Sequence, residues 1–342
     1  MEEKADNILL TFVVPCYNVE KYIQRCLDSI YACKLPENCY EVLCINDCSP
    51  DGTAEILERN KDIHSNLYIV NHKVNKGLGG GRNTGILNAK GCYIWFVDSD
   101  DEVVGNGFSD ALKKAMDENL DVLCFNYSRI DEKGKDLSLH IVFGQTPVMD
   151  GYSFVKKLFG DSIVYHMGYV VRFLYRTDYL KEHNLFFPER VHWEDTVFMP
   201  KSLLSAERVA SVQQVFYAYR VNSNSISAVF DRVYPAQWIY EFAFLAGRDL
   251  LQFSEDIEDE SLMLAVKDAA VKKYINGFPI PLFRTSKNER NRFYTIEGER
   301  KEELKPLKRY LAPFSKLLLY PVIGKMVAEG GAWLYRLRHT RK

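Results

Sequence analysis

Strand-like and helix-like segments alternate through the first hundred residues, and no other feature of the chain restricts its fold as much. Residues 8–15 form a short apolar run rich in branched side chains, the pattern of a buried strand. Behind Asn18, a candidate cap, Val19, Tyr22, Ile23, Cys26, Leu27 and Ile30 recur at helical spacing. Residues 40–46 read as a second strand, 51–59 as a helix with Asp51 as its cap, 66–71 as a third strand, 79–89 as a helix and 92–97 as a fourth strand. Strand and helix in turn require right-handed crossovers, which build an α/β fold with a mainly parallel sheet and helices on both faces. Ligands of such sheets sit beyond the carboxyl ends of the strands. That rule gathers Cys16-Tyr17-Asn18, Asp47, the segment after Asn71 and Asp98 to Asp101 at one cleft.

Past residue 130 the alternation fades. Residues 137–143 suit a strand near an edge, 152–159, 173–182 and 194–204 suit helices, and 209–220 an extended segment. From residue 235 the patterns are amphipathic and helical, as in 238–253 and 262–275. A chain of 342 residues therefore divides into an α/β domain over 1–230 and a helical region over 231–342. From Lys301 onward basic residues outnumber acids and alternate with Leu, Tyr, Trp and Phe. That composition fits either a solvated helical hairpin or a helix lying on an anionic membrane surface. Pro321 and Gly330-Gly331 argue against one long helix there.

A net charge of −2 gives no basis for nucleic-acid binding. The acidic N-terminus lacks the features of a secretory signal, and no apolar run reaches membrane-spanning length. The eight cysteines form no C-x-x-C pair and read as small core residues in a reducing compartment. A cytoplasmic protein is expected, with the C-terminal segment as its possible contact with the inner membrane face.

The stretch "FVDSDDE" sets Asp98, Asp100, Asp101 and Glu102 at the end of the fourth strand. An isolated D-S-D suits a turn or a helix start. Carboxylates this close raise one another's pKa unless a cation neutralises them. A magnesium or manganese ion held by one or two carboxylates removes the conflict and keeps positions open for phosphate oxygens. The glycines of "GLGGGRNTG" do not follow the first strand as G-x-G-x-x-G, which excludes a dinucleotide-binding dehydrogenase. They suit close backbone approach at a helix start.

Together "VVPCYNVEKYIQRCLDSI", "INDCSPDGT", "NKGLGGGRNTGILNAKG" and "YIWFVDSDD" resemble the inverting family 2 glycosyltransferases with the GT-A fold. The resemblance is close over residues 8–105 and looser through "FPERVHWEDTVF" and "YAYRVNSNSIS". It implies that Pro15, Tyr17 and Asn18 lie against the nucleotide base and that Asp47 contacts base or ribose. Two aspartates are frequent at that point in the family, whereas this chain has Asn46 before Asp47. Asp98 and Asp100 match the D-x-D pair, Asp98 toward the ribose or the metal and Asp100 as metal ligand. Arg82 matches an arginine near the nucleotide; an ion pair is its plainer reading. Arg220 or Ser225 would touch the diphosphate. His192 would lie nearby, as an acceptor contact, a metal ligand or a structural residue.

Inverting transfer needs a base to take the proton of the attacking hydroxyl. The resemblance points to Asp195, while helical geometry alone does not choose between it and Glu194. The function implied is transfer of a sugar from a nucleotide donor, a UDP-sugar, to a hydroxyl of a glycan or lipid-linked glycan in cell-envelope synthesis. A nucleotidyltransferase would want a basic glycine-rich loop where this chain has "PCYNVE". A non-catalytic sugar-nucleotide binder would have no use for Asp98, Asp100 and Asp195 together.

Overall fold

Strands β1 (Leu10–Cys16), β2 (Tyr40–Asn46), β3 (Leu67–Asn71) and β4 (Tyr93–Phe96) lie parallel in the order β3-β2-β1-β4. Cys16 pairs with Asn46 and Asn46 with Asn71, so the loops leaving three strands begin at one level. Every residue of β1, β2 and β4 is buried, as in a sheet covered on both faces. The crossovers carry helices α1 (Ile23–Tyr31), α2 (Thr53–Ile63) and α3 (Gly77–Asn88). The computed structural model describes residues 8–141, 143–159, 169–189, 191–192, 194–221, 235–319 and 321–339. Those up to 221 form one compact unit and those from 235 a second.

Two capping expectations are corrected. Asn18 is a left-handed turn residue with φ 57°, and α1 begins only at Ile23. Asp51 stands one residue before the cap position of α2. Its carboxylate accepts from Thr53 N, Thr53 Oγ1 and Glu20 N at 3.2, 2.6 and 3.0 Å. Thr53 Oγ1 accepts in turn from Val19 N at 3.0 Å. The two residues thus fasten the loop after β2 to the loop after β1.

The other half of the sheet is built from β5 (Glu102–Val103), β6 (Val122–Ile130), β7 (Asp136–His140), β8 (Phe173–Arg176) and β9 (Val209–Arg220). Helices α4 (Phe108–Asp117), α5 (Gly151–Phe159), α6 (Thr177–Glu182) and α7 (Asp195–Leu204) accompany them. β8 runs antiparallel between β4 and β6, β9 runs parallel to β6, and β5 and β7 pair antiparallel with β9 and β6. The sheet is therefore mixed, with its parallel block in the strands that the alternation marks.

Residues 173–182, expected as one helix, are β8 followed by α6. Leu174 pairs with Trp95 on one side and Leu123 on the other, where an extended segment buries both faces. β6 was not anticipated. Its apolar run is interrupted by Asn126, whose amide donates to Phe143 O at 2.7 Å and Gln213 O at 2.9 Å and accepts from Phe143 N at 2.8 Å.

The second unit is helical. α8 (Pro235–Tyr240) passes through a π-helical turn into α9 (Ala246–Glu255), and α10 (Glu260–Ala269) ends in another. Then come α11 (Pro279–Arg284), α12 (Lys287–Glu299), α13 (Lys301–Leu304), α14 (Pro313–Leu318) and α15 (Pro321–His339). Phe278 centres the core, 5.2 Å from Phe244 and 5.7 Å from Phe293. α14 ends at Leu318 and α15 opens at Pro321, so the helix is interrupted there as expected, whereas Gly330-Gly331, expected as a second interruption, lie inside α15. Pro321 opens it, where the missing N–H costs nothing. Gly331 lies inside it because a Cβ there would fall 2.6 Å from the Phe283 ring. No helix among the described residues is long and apolar enough to cross a membrane.

Candidate active site

The acidic turn after β4 is bound from two sides. Asp98 Oδ1 accepts from Arg82 Nη2 at 2.7 Å, and Asp98 N donates to Tyr217 Oη at 3.2 Å. Asp101 is buried and points inward, accepting from Tyr217 Oη and from Arg220 N, both at 2.6 Å. Burial, then Asp100 and Asp98, holds the Asp101 carboxyl well above its ordinary pKa. Asp100 is half-buried, and burial followed by the charge of Asp98 pushes its carboxyl up to about 6.

Arg220, expected beside the diphosphate, is enclosed beneath this turn instead. Nε donates to Asp100 O at 2.9 Å, Nη1 to Asp131 O and Glu132 O at 2.9 and 3.0 Å, and Nη2 to Glu102. At 1% exposure it acts as a strut that shapes the acidic turn. Ser225, its companion in that expectation, lies outside the described residues.

Arg82 connects the acidic turn to the start of α7. Its Nη1 donates to Glu194 while Nη2 holds Asp98, and its guanidinium lies 5.3 Å from the Phe187 ring centroid. The arrangement depends on α3 lying very close to its neighbours. A Cβ on Gly85 would fall 2.1 Å from Val13 Cγ1, and one on Gly79 would fall 2.3 Å from Pro188 O. Asn83 then bonds the Phe187 backbone at both ends, donating to its carbonyl at 2.9 Å and accepting from its amide at 2.8 Å. The glycine-rich helix thus brings two segments a hundred residues apart to the same arginine, as its expected role in close backbone approach requires.

Geometry separates the two acids at the start of α7. Glu194 is buried against Arg82, and burial pushes its carboxyl up although Arg82 opposes the shift. Asp195, the first residue of α7, is half-buried; burial raises it too, again opposed by Arg82. For Arg82 itself burial acts downward, and Asp98 and Glu194 turn the net shift upward. His192 is half-buried.

Among the nucleotide-side residues, Pro15 is buried, whereas Tyr17 and Asn18 are exposed. Asp47 is buried and engaged. Oδ1 accepts from Lys76 N at 2.8 Å and Oδ2 from Gly77 N at 2.9 Å, at the entry to α3. His72 Nδ1 lies 2.6 Å from Asp47 Oδ1, and its Nε2 is 2.9 Å from Thr84 Oγ1. Here Asp47 orders the loop between β3 and α3. Sequence reasoning missed His72, Thr84 and Tyr217, whose only signals were position just past β3, along α3 and inside β9 respectively. Among the described residues no three His, Cys, Asp or Glu side chains converge as a closed metal cage.

The family model for glycosyl transferase family 2 matches residues 11–183, just over half the chain. The chain belongs to glycosyl transferase family 2. The Bacillus subtilis protein named uncharacterized glycosyltransferase EpsJ is 31% identical over 223 residues, 65% of this chain and 63% of the relative. The poly(ribitol-phosphate) beta-glucosyltransferase of Bacillus spizizenii is 28% identical over 317 residues, 89% of this chain and 44% of the relative. The chain thus spans less than two thirds of the length of either relative. In three dimensions the family 2 chain is similar to residues 1–349 of S. aureus TarS, solved with UDP-GlcNAc. That likeness has a TM-score of 0.69 at 23% identity and covers 96% of this chain and 92% of the other. A Pyrobaculum calidifontis mannosyltransferase in complex with GDP-Man and Mn2+ follows with a TM-score of 0.53 at 16% identity, covering 93% and 85%. The fold is GT-A, with a helical C-terminal unit.

Proposed function

We propose that this chain transfers a sugar from a nucleotide donor, a UDP-sugar, to a hydroxyl of a cell-envelope glycan or lipid-linked glycan with inversion. The observation that carries the reading is Arg82. A buried guanidinium joins Asp98 in the acidic turn at the end of β4 to Glu194 beside the start of α7, which supports reading the turn as the donor side and the adjacent Asp195 as the base. Glu194 is committed to Arg82, which leaves Asp195, the more exposed acid, as the base. Its carboxylate takes the proton of the attacking hydroxyl, and a raised pKa brings it nearer the pH at which a base works best. Tyr17 and Asn18 present open surface to the nucleobase, and Asp47 holds the neighbouring loop in place.

The residues fit a divalent cation. Asp100 carries a carboxyl raised by burial and by Asp98, the condition a bound cation relieves. Mg2+ and Mn2+ complete their coordination with phosphate oxygens and need one or two carboxylates, not a closed cage. Asp100 would hold the ion, with Asp98 beside it, and the ion would stabilise charge on the departing diphosphate. UDP-GlcNAc in the TarS structure and the poly(ribitol-phosphate) in the name of the Bacillus spizizenii relative support the donor and acceptor classes. The basic aromatic C-terminal segment suits contact with the inner membrane face.

A panel of nucleotide sugars, screened for binding and hydrolysis with and without manganese, tests the reading. Asp195→Asn should bind donor as the wild type does and lose hydrolysis by a factor of about 100 or more. Hydrolysis at equal rates in both proteins would remove Asp195 from the mechanism, and silence toward every donor would remove the transferase reading.

A further inference from the structure

The first unit buries or half-buries several arginines, and most face a carboxylate. Arg82 faces Asp98 and Glu194, Arg176 faces Asp121 at 2.6 Å, and Arg220 faces Glu102. Arg172 departs from the rule. It is 3% exposed, just ahead of β8, and no carboxylate pairs with it among the described residues. Rings surround its guanidinium, with Cζ 4.9 Å from the Phe143 centroid, 5.3 Å from Tyr127 and 5.8 Å from Phe173. Its Nε has no hydrogen-bond partner there. Ring faces recover part of what a cation loses on leaving water, and an anion recovers far more.

Its surroundings lead back to the active site. Tyr127 stacks on His140 at 4.7 Å and meets the exposed Tyr169 edge-on at 5.8 Å. Tyr169 stacks on Tyr219 at 5.7 Å. Tyr219 lies within the field of the acidic turn, since burial and then Asp101 push its hydroxyl upward. A second guanidinium, Arg129, stands two residues along β6 from Tyr127 and hence on the same face, half-buried and without an ion pair among the described residues. A row of rings thus runs from the acidic turn to two arginines that lack a counter-charge among the described residues.

We propose that Arg172 and Arg129 form an anion subsite for a phosphate group on the acceptor, with the open face of Tyr169 supporting the adjoining sugar or polyol. The planar guanidinium fork matches phosphate oxygens in pairs. The acceptor class is thereby narrowed to phosphate-bearing glycans or polyols, and this assignment rests on the transferase reading of the neighbouring site.

The test uses the full chain saturated with UDP and manganese, so that the donor's phosphate positions are filled. Inorganic phosphate and ribitol 5-phosphate are then titrated, followed by calorimetry and by melting temperature. Both should bind and raise the melting temperature, ribitol 5-phosphate more tightly. Arg172→Met, which keeps an apolar chain within the ring cage, and Arg129→Met, which leaves the core untouched, should each weaken binding about tenfold or more with UDP affinity unchanged. If Arg172→Met does not fold, Arg129→Met carries the comparison. Phosphate binding that is equal in all three proteins, or absent from the wild type up to about 0.1 M, overturns the subsite. Equal affinity for the two ligands overturns the role of Tyr169. Failure of UDP binding alone would sink the UDP-sugar reading of the donor and leave the subsite standing.

Discussion

Replacing Arg82 by Met should be among the most damaging single changes in the first unit, and the structure supplies its size. Arg82 is enclosed at 3% side-chain exposure, Glu194 at 6% and Asp98 at 28%. Removing one member of a buried pair leaves an uncompensated charge and costs roughly 3–5 kcal/mol. Glu194 can escape part of that cost by taking a proton, so the loss depends on pH. In the wild type its carboxyl is already raised from 4.5 to about 7, mainly by burial. The folded chain then holds a proton that the unfolded chain releases, and stability falls as pH rises through that window. One such proton contributes at most about 1.4 kcal/mol per pH unit. Without Arg82 the folded carboxyl rises further and the fall extends to higher pH. Urea denaturation of the Arg82→Met protein should therefore show a loss of about 3 kcal/mol or more at pH 8 and a smaller one at pH 5.5. Glu194→Gln keeps an acceptor for Nη1, costs about 1 kcal/mol, and flattens the pH dependence. A loss below about 1 kcal/mol at pH 8, or a larger loss at pH 5.5, would refute a buried, charge-bearing link.

Three further outcomes follow from distances in the first unit. Gly85→Ala places a methyl 2.1 Å from Val13 Cγ1 and should cost about 1–3 kcal/mol in thermal melts, part of it recovered by Val13→Ala in the same chain; no recovery would mean that α3 is not held against β1 at this point. Tyr217→Phe takes a donor from Asp101 and an acceptor from Asp98 N, so urea denaturation should register about 1–3 kcal/mol, and an unchanged midpoint would dismiss the Tyr217 strut. Asp47→Asn removes an acceptor from one of two amides at the entry to α3, and UDP affinity measured calorimetrically should fall by roughly tenfold, whereas unaltered affinity would separate this loop from donor binding.

The parallel half of the sheet was legible because its physics is local. Buried parallel strands appear as short apolar runs, and the helices between them carry their own period, so β1 to β4 and the residues at their carboxyl ends follow from pattern alone. β8 and α6 were fused into one helix because nothing marks the boundary between Arg176 and Thr177; the pairing of Leu174 with Trp95 and Leu123 decides it. β6 was missed because Asn126 looks out of place in a buried strand until Phe143 and Gln213 satisfy it. At the site, Asp98, Asp100 and Asp195 could be named from their motifs. The buried role of Arg220 could not be, because it depends on a turn 120 residues earlier in the chain.

Two arginines answer the crowding of acids after β4, and they answer it differently. Arg220 neutralises Glu102 and shapes the turn through carbonyls, and its backbone amide together with Tyr217 settles Asp101. Arg82 neutralises Asp98 from the other side and is shared with Glu194. Asp100 has no guanidinium bonded to its carboxylate among the described residues, and burial followed by the charge of Asp98 raises its pKa. The protein thus gives Asp98, Asp101 and Glu102 side-chain partners and leaves Asp100 as the acid of the turn whose carboxylate has none among the described residues. A lysine in place of Arg82 could not reproduce this division. Its single ammonium cannot hold two carboxylates apart at a fixed spacing, whereas the planar guanidinium presents separate donors to Asp98 and Glu194. The spacing between the acidic turn and the start of α7 therefore depends on one rigid group carried by a glycine-rich helix.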